Sequence, residues 1–227
     1  MTSAQSGIDM SKLRLVPGRA GLEETGFVHV YGEVINETGQ PVEAVTVAVD
    51  LLDAQGKSLD VGGWLSVHKK EIGAPARETA RGEIHYVPAG GSTPFHYVRD
   101  TKKIQGTYAS HKLSVTARPV TGPMPTAQID GPSTEKGQGN LVMLKGTFKV
   151  TGAESCRSPK ALFGFYDGSG KLLDIVEPHQ DALDAYFQKE VTPGQAIAFE
   201  GKSYPEGGTG AKMKTWASCD WVNPKKK

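Results

Sequence analysis

One stretch of this chain repeats itself at a fixed offset. Moving the sequence by 114 residues places Gly32 on Gly146, Asp53 on Asp167, Gly56 on Gly170 and Lys57 on Lys171. Leu59 then meets Leu173, and Asp60 meets Asp174, with no gap between Gly32 and Asp60. The apolar alternation keeps phase as well. Val28, Val30 and Val34 fall on Val142, Leu144 and Phe148, and Val47, Val49 and Leu51 fall on Ala161, Phe163 and Phe165. Side chains on a strand alternate faces, so a slip of one residue would turn each of these outward. Retained phase in two successive strands predicts one β architecture used twice.

The repeated unit reads as strand, turn, strand, tight turn, strand. The first strand is predicted over 27–36 and the second over 44–52. The tight turn is Asp53-Ala54-Gln55-Gly56-Lys57 in one copy and Asp167-Gly168-Ser169-Gly170-Lys171 in the other. Asp53 and Asp167 can accept hydrogen bonds from their own turn backbone, and Gly56 and Gly170 can take the left-handed conformation that closes such a hairpin. Later segments correspond more loosely: Pro88 to Tyr97 with Pro193 to Phe199, and His111 to Ala117 with Ala211 to Ala217. The 28 glycines and 14 prolines among 227 residues punctuate short strands rather than long helices. The expected fold is all-β, with two tandem immunoglobulin-like β-sandwich domains at 12–118 and 127–223. A disordered segment at 1–11, a proline-rich linker at 119–126 and a basic tail at 224–227 complete the organisation.

Two segments resemble a known pattern. Val30-Tyr31-Gly32-Glu33-Val34-Ile35-Asn36, followed by Val47 to Lys57, is similar to the G-x-V-x-N strand and the "fyD-x-x-G-k" strand end of the FxLYD family of bacterial envelope domains. Phe163-Gly164-Phe165-Tyr166-Asp167-Gly168-Ser169-Gly170-Lys171 matches the strand end more closely, but Val150 stands where the pattern has asparagine. The resemblance covers one hairpin in each half. It implies a sandwich in an extracytoplasmic setting, a binding or spacer role, and no catalytic residues.

Cys156 and Cys219 both lie in the second half. An even pair in an exported domain reads as a disulfide, worth about 4 kcal/mol in the chain-entropy model; two reduced thiols in a cytosolic protein are the alternative. The polar start, with no apolar signal core, fits either a cytosolic chain or a mature exported one. The expectation is a periplasmic or extracellular protein whose signal peptide has been removed. With 26 basic and 25 acidic residues the net charge is +1, which gives no basic face for nucleic acid. No apolar run approaches the ~20 residues of a membrane-spanning helix.

A search for chemistry finds little. His85, His96 and His111 sit on successive predicted strands and could meet around a metal; separate histidines are the simpler reading, so neither metal nor cofactor is expected. Gly207-Gly208-Thr209-Gly210-Ala211-Lys212 lacks the sequence and following helix of a phosphate loop. Asp167 to Gly170 lacks the closing glutamate of a calcium loop. Asn36-Glu37-Thr38 has the form of a glycosylation sequon. A short helix, with a strand as rival reading, is expected within 177–190, where Pro178 could open it. Trp64, Tyr97, Tyr108, Trp216 and Trp221 are candidates for a binding surface, although Trp216 and Trp221, five apart, face opposite ways on an unbroken strand. The expected function is non-catalytic presentation of two modules to a protein partner in the cell envelope. A carbohydrate or cell-wall polymer module and an enzyme accessory domain are the alternatives.

Overall fold

The computed structural model describes residues 7–61, 78–178, 181–187 and 189–221. Among the described residues fifteen strands run in chain order: β1 (Leu13–Leu22), β2 (Phe27–Asn36), β3 (Val42–Leu52), β4 (Asp60–Val61), β5 (Glu78–Arg81), β6 (Tyr86–Val87), β7 (Ser92–Asp100), β8 (Ile104–Gln105), β9 (Ser110–Pro119), β10 (Ala127–Lys136), β11 (Val142–Val150), β12 (Cys156–Tyr166), β13 (Leu172–Val176), β14 (Ala196–Ser203) and β15 (Lys212–Trp221). The chain is an all-β sandwich protein. In the first half an antiparallel β1-β2-β7 sheet faces a sheet in which β3 pairs β9 on one edge and β5 and β6 on the other. In the second half β10-β11-β14 faces β13-β12-β15.

The offset carries through to the elements themselves. Adding 114 to the bounds of β1 and β3 reproduces those of β10 and β12. The alternating residues all point inward: Val28, Val30, Val34, Val47, Val49 and Leu51 in the first core, and Val142, Leu144, Phe148, Ala161, Phe163 and Phe165 in the second, each at most 2% exposed. The shared glycine has a packing reason. Gly32 pairs with Phe95 across the strands, and a Cβ there would lie 2.4 Å from the Phe95 ring. Gly146 pairs with Phe199 in the same way, with 3.1 Å to that ring. The missing side chain leaves room for the neighbouring ring to lie across the strand.

In both tight turns the aspartate works as its chemistry suggests. Asp53 Oδ1 accepts from the backbone N–H of Gln55 and Lys57, and Asp167 Oδ1 from those of Ser169 and Lys171, all at 2.9 Å. Gly56 and Gly170 adopt φ of +76° and +88°, a region closed to most side chains.

Several expectations need correction. Residues 7–11 are ordered: Asp9 caps a 3-10 turn at Met10–Lys12, and Ile8 is buried against the first core. Residues 1–6 lie outside the described ones. Within 119–126, Pro119 ends β9 and Pro125 is buried, and Thr126 accepts backbone hydrogen bonds from Thr151 and Gly152, which fasten this stretch to the second half. The only α-helix among the described residues, α1 (Asp181–Asp184), begins after Pro178 and is a single turn. Asn36 is no glycan acceptor. It is fully buried, and its amide donates to the carbonyls of Gln40, Val87 and Pro88 while Oδ1 accepts from Thr38. Cys156 opens β12 rather than lying in the turn before it. It forms a disulfide with Cys219 on β15, with Cα atoms 5.7 Å apart. The tail 224–227 lies outside the described residues.

Candidate functional site

The two halves do not hang as separate beads. The first hydrophobic cluster takes in Leu162 and Trp216 from the second half. The outer face of β1-β2-β7 meets the outer face of β13-β12-β15 through polar groups. Glu33, only 5% exposed, pairs with Lys214 Nζ and accepts from the Tyr166 hydroxyl at 2.8 Å. Ser92 Oγ receives Lys214 Nζ at 2.7 Å and Trp216 Nε1 at 3.1 Å. Burial, and then the adjacent Glu33 carboxylate, push the Tyr166 hydroxyl pKa well above its ordinary value, so it stays a neutral donor. A cleft of about 460 Å³ runs beside this join, lined by Tyr86, Ser92, Gln128 and Trp216 among others.

At the far end of the same join lies a second polar group. The β1 ladder is interrupted between Pro17 and Ala20. A bulge of this kind re-aims side chains, and Arg19 here crosses to the second half, donating from Nε to the Leu173 carbonyl at 2.9 Å. Its guanidinium also pairs with Glu23 and stacks 4.8 Å over the Tyr31 ring. His29, Tyr31 and His96 form a stacked ladder across β2 and β7, with the Tyr31 and His96 rings 4.1 Å apart and nearly parallel. His29 Nδ1 and His96 Nε2 share a hydrogen bond of 3.0 Å. From the second half, buried Asp174 accepts from the backbone N–H of Gly207 at 3.1 Å and holds the 204–211 loop over this ladder.

Burial, followed by the nearby His29 and Arg19 charges, lowers the His96 pKa from 6.5 to about 4. The unfolded chain therefore takes up a proton between pH 6.5 and 4 that the folded chain resists, and stability falls as the pH drops through that window. At 1.36 kcal/mol per unit, reduced by screening at a partly exposed ring, the loss is about 2 kcal/mol at pH 4. Urea unfolding in the presence of a chelator at pH 7 and pH 4.5 should show it. The His96→Asn variant should show a smaller difference between the two pH values; an equal difference refutes the assignment.

The three histidines that could have met around a metal lie apart. His85 pairs with Asp220 at 2.9 Å, and His111 bonds the Tyr108 hydroxyl at 3.0 Å. His96 lies on the other sheet beside His29. The aromatic candidates are scattered too. Tyr97 is buried in the first core, and Trp216 is largely buried at the join, where it lines the cleft. Tyr108 is half-buried on His111, and Trp221 donates to Glu154 at 3.3 Å. Trp64 lies outside the described residues. Sequence reasoning missed Glu23, His29, Arg19 and Glu206, which come from a hairpin turn, a strand, a bulge and a distant loop. No spacing rule joins them.

These observations define an all-β sandwich protein with two similar halves and an internal disulfide, a bond that fits an oxidising compartment. Among the described residues no helix is long and apolar enough to cross a membrane. No protein-family model matches the chain, and no curated protein matches it. Among solved structures it is similar to a red sea bream transglutaminase (14% identity, TM-score 0.28), covering 92% of this chain and 29% of that one. It is also similar to the exo-chitosanase CsxA of Amycolatopsis orientalis (12% identity, TM-score 0.30), covering 89% of this chain and 25% of that one. The chain thus spans less than a third of the length of either, and likeness at this level says nothing of activity.

Proposed function

We propose that this protein is a non-catalytic binding and scaffold protein of the bacterial cell envelope, with two FxLYD-like sandwich modules that act on a protein partner outside the cytoplasm. The observation that carries the reading is the join between the halves. Glu33, Tyr166, Lys214 and Ser92, residue types that could do chemistry if free, are instead bonded to one another across it. They hold two sandwiches in one orientation, as a presenting scaffold requires. The disulfide supports an extracytoplasmic setting. Phe187 and Tyr204, about two-thirds exposed at 65% and 66%, offer apolar contacts on loops of the second half, where a sandwich commonly carries its specificity.

The test is fractionation of the native cells, with a photoreactive side chain placed at position 187 or 204. The expected result is recovery in the extracytoplasmic fraction, no free thiol in the denatured unreduced chain, and a discrete protein adduct on illumination. Recovery in the cytosol with two free thiols overturns the setting. An extracytoplasmic chain that gives no protein adduct, yet co-sediments with purified cell wall, overturns the protein partner in favour of a polymer.

A further inference from the structure

Beside the ladder, Glu23, His29 and Glu206 each present a ligand atom, and these atoms all lie within 4.8 Å of one another. We propose that they form a binding site for a divalent first-row transition ion such as Zn²⁺, and that the bound ion staples the two halves together.

The geometry supports the assignment from several sides. His29 is 8% exposed. Its Nδ1 is engaged by His96, so the free edge of the ring is Nε2. That atom faces Glu23 Oε2 at 3.6 Å, too long for a hydrogen bond. A buried imidazole nitrogen thus points at a carboxylate without bonding it, at a separation suited to two ligands of one ion. The His29–His96 hydrogen bond is also the outer-shell contact that fixes the ring of a metal-bound histidine. Glu23 is held from behind: Arg19 takes its Oε1, and its backbone closes the β1–β2 hairpin with Phe27 and Gly26. Oε2 is left for the ion. Glu206 lies in a turn closed by Gly208 on Pro205 and tied to Asp174 through Gly207.

Charge points the same way. Glu23, Glu206 and Asp174 supply three carboxylates, Arg19 is paired with one of them, and a 2+ ion would offset the other two. The ligand set selects the kind of ion. Calcium and magnesium favour all-oxygen shells, whereas one imidazole with two carboxylates suits zinc and its neighbours and leaves room for water. Glu23 and His29 belong to the first half and Glu206 to the second, so one ion would span the join.

The chelator-stripped full chain is titrated with Zn²⁺ by calorimetry and with Co²⁺ by visible absorption, and its thermal unfolding is followed with and without Zn²⁺. One ion per chain should bind, with a cobalt spectrum of low coordination number and a raised melting temperature. Glu206→Gln, on an exposed loop, should fold normally yet weaken binding roughly tenfold or more and abolish most of the thermal shift. His29→Ala should do the same, and Glu200→Gln, on the far side of the second half, should bind as the parent does. No saturable binding, unaltered binding in Glu206→Gln, or tighter binding of Ca²⁺ than of Zn²⁺ each overturns the site.

Discussion

Replacing Phe163 with alanine should cost about 3–5 kcal/mol, the usual range for emptying a buried aromatic site. The residue sits mid-strand on β12 with no exposure. Its ring meets the Phe199 edge at a centroid distance of 6.2 Å, bridging the two sheets of the second half. A cavity there is walled by β12, held between β13 and β15, and by β14, paired along its length with β11, so the site cannot collapse cheaply. Phe163→Leu keeps most of the volume and should lose less than half as much. Urea midpoints of the two variants decide the matter. Equal losses would mean that the ring's volume is not what the core uses.

Loss of the Cys156–Cys219 bridge should cost a comparable amount, about 4 kcal/mol. The sequence separation of 63 sets that figure through the restricted freedom of the unfolded chain. The bridge ties the start of β12 to β15, which pair along their length, so reduction should leave the native pairing intact and act mainly on the unfolded state. Unfolding of the parent with and without reductant should therefore give well-separated midpoints. The double variant Cys156→Ala, Cys219→Ala should resemble the reduced parent and ignore reductant. Coincident midpoints for oxidised and reduced parent would refute the prediction.

Part of this architecture is legible in the residues because strand periodicity is a local property. The alternation Val28-Val30-Val34 and its copy name the inward face without knowledge of what lies opposite. The turn aspartates and glycines are legible because an Asx turn is completed within five residues. The offset also carries features that no identity reveals. Ala44 and Ser158, related by 114 residues, both adopt φ of +51° in equivalent bulges of β3 and β12. Nothing in either side chain asks for that conformation. Each lies where the register shifts between flanking ladder pairs, and φ above zero at residues other than glycine is costly enough to need such support.

The candidate sites were the least legible. Tyr97 and Trp216 look alike on paper as aromatics on late strands, yet one fills the first core and the other seals the join. Whether an aromatic is exposed depends on what packs over it. Glu33 occupies an outward strand position, which local patterning marks as solvated, and only the arrival of β15 makes it a buried partner of Lys214.

By itself the sequence determines the strands, their inward faces, the tight turns and the repetition of the unit, since period-two alternation and turn chemistry act over a few residues. Only the tertiary structure decides that the outer faces of two similar sheets close on each other, and that Glu23 and His29 meet Glu206 across the gap. Those contacts join residues more than 120 positions apart, and their geometry follows from how the two halves pack, which no local spacing encodes.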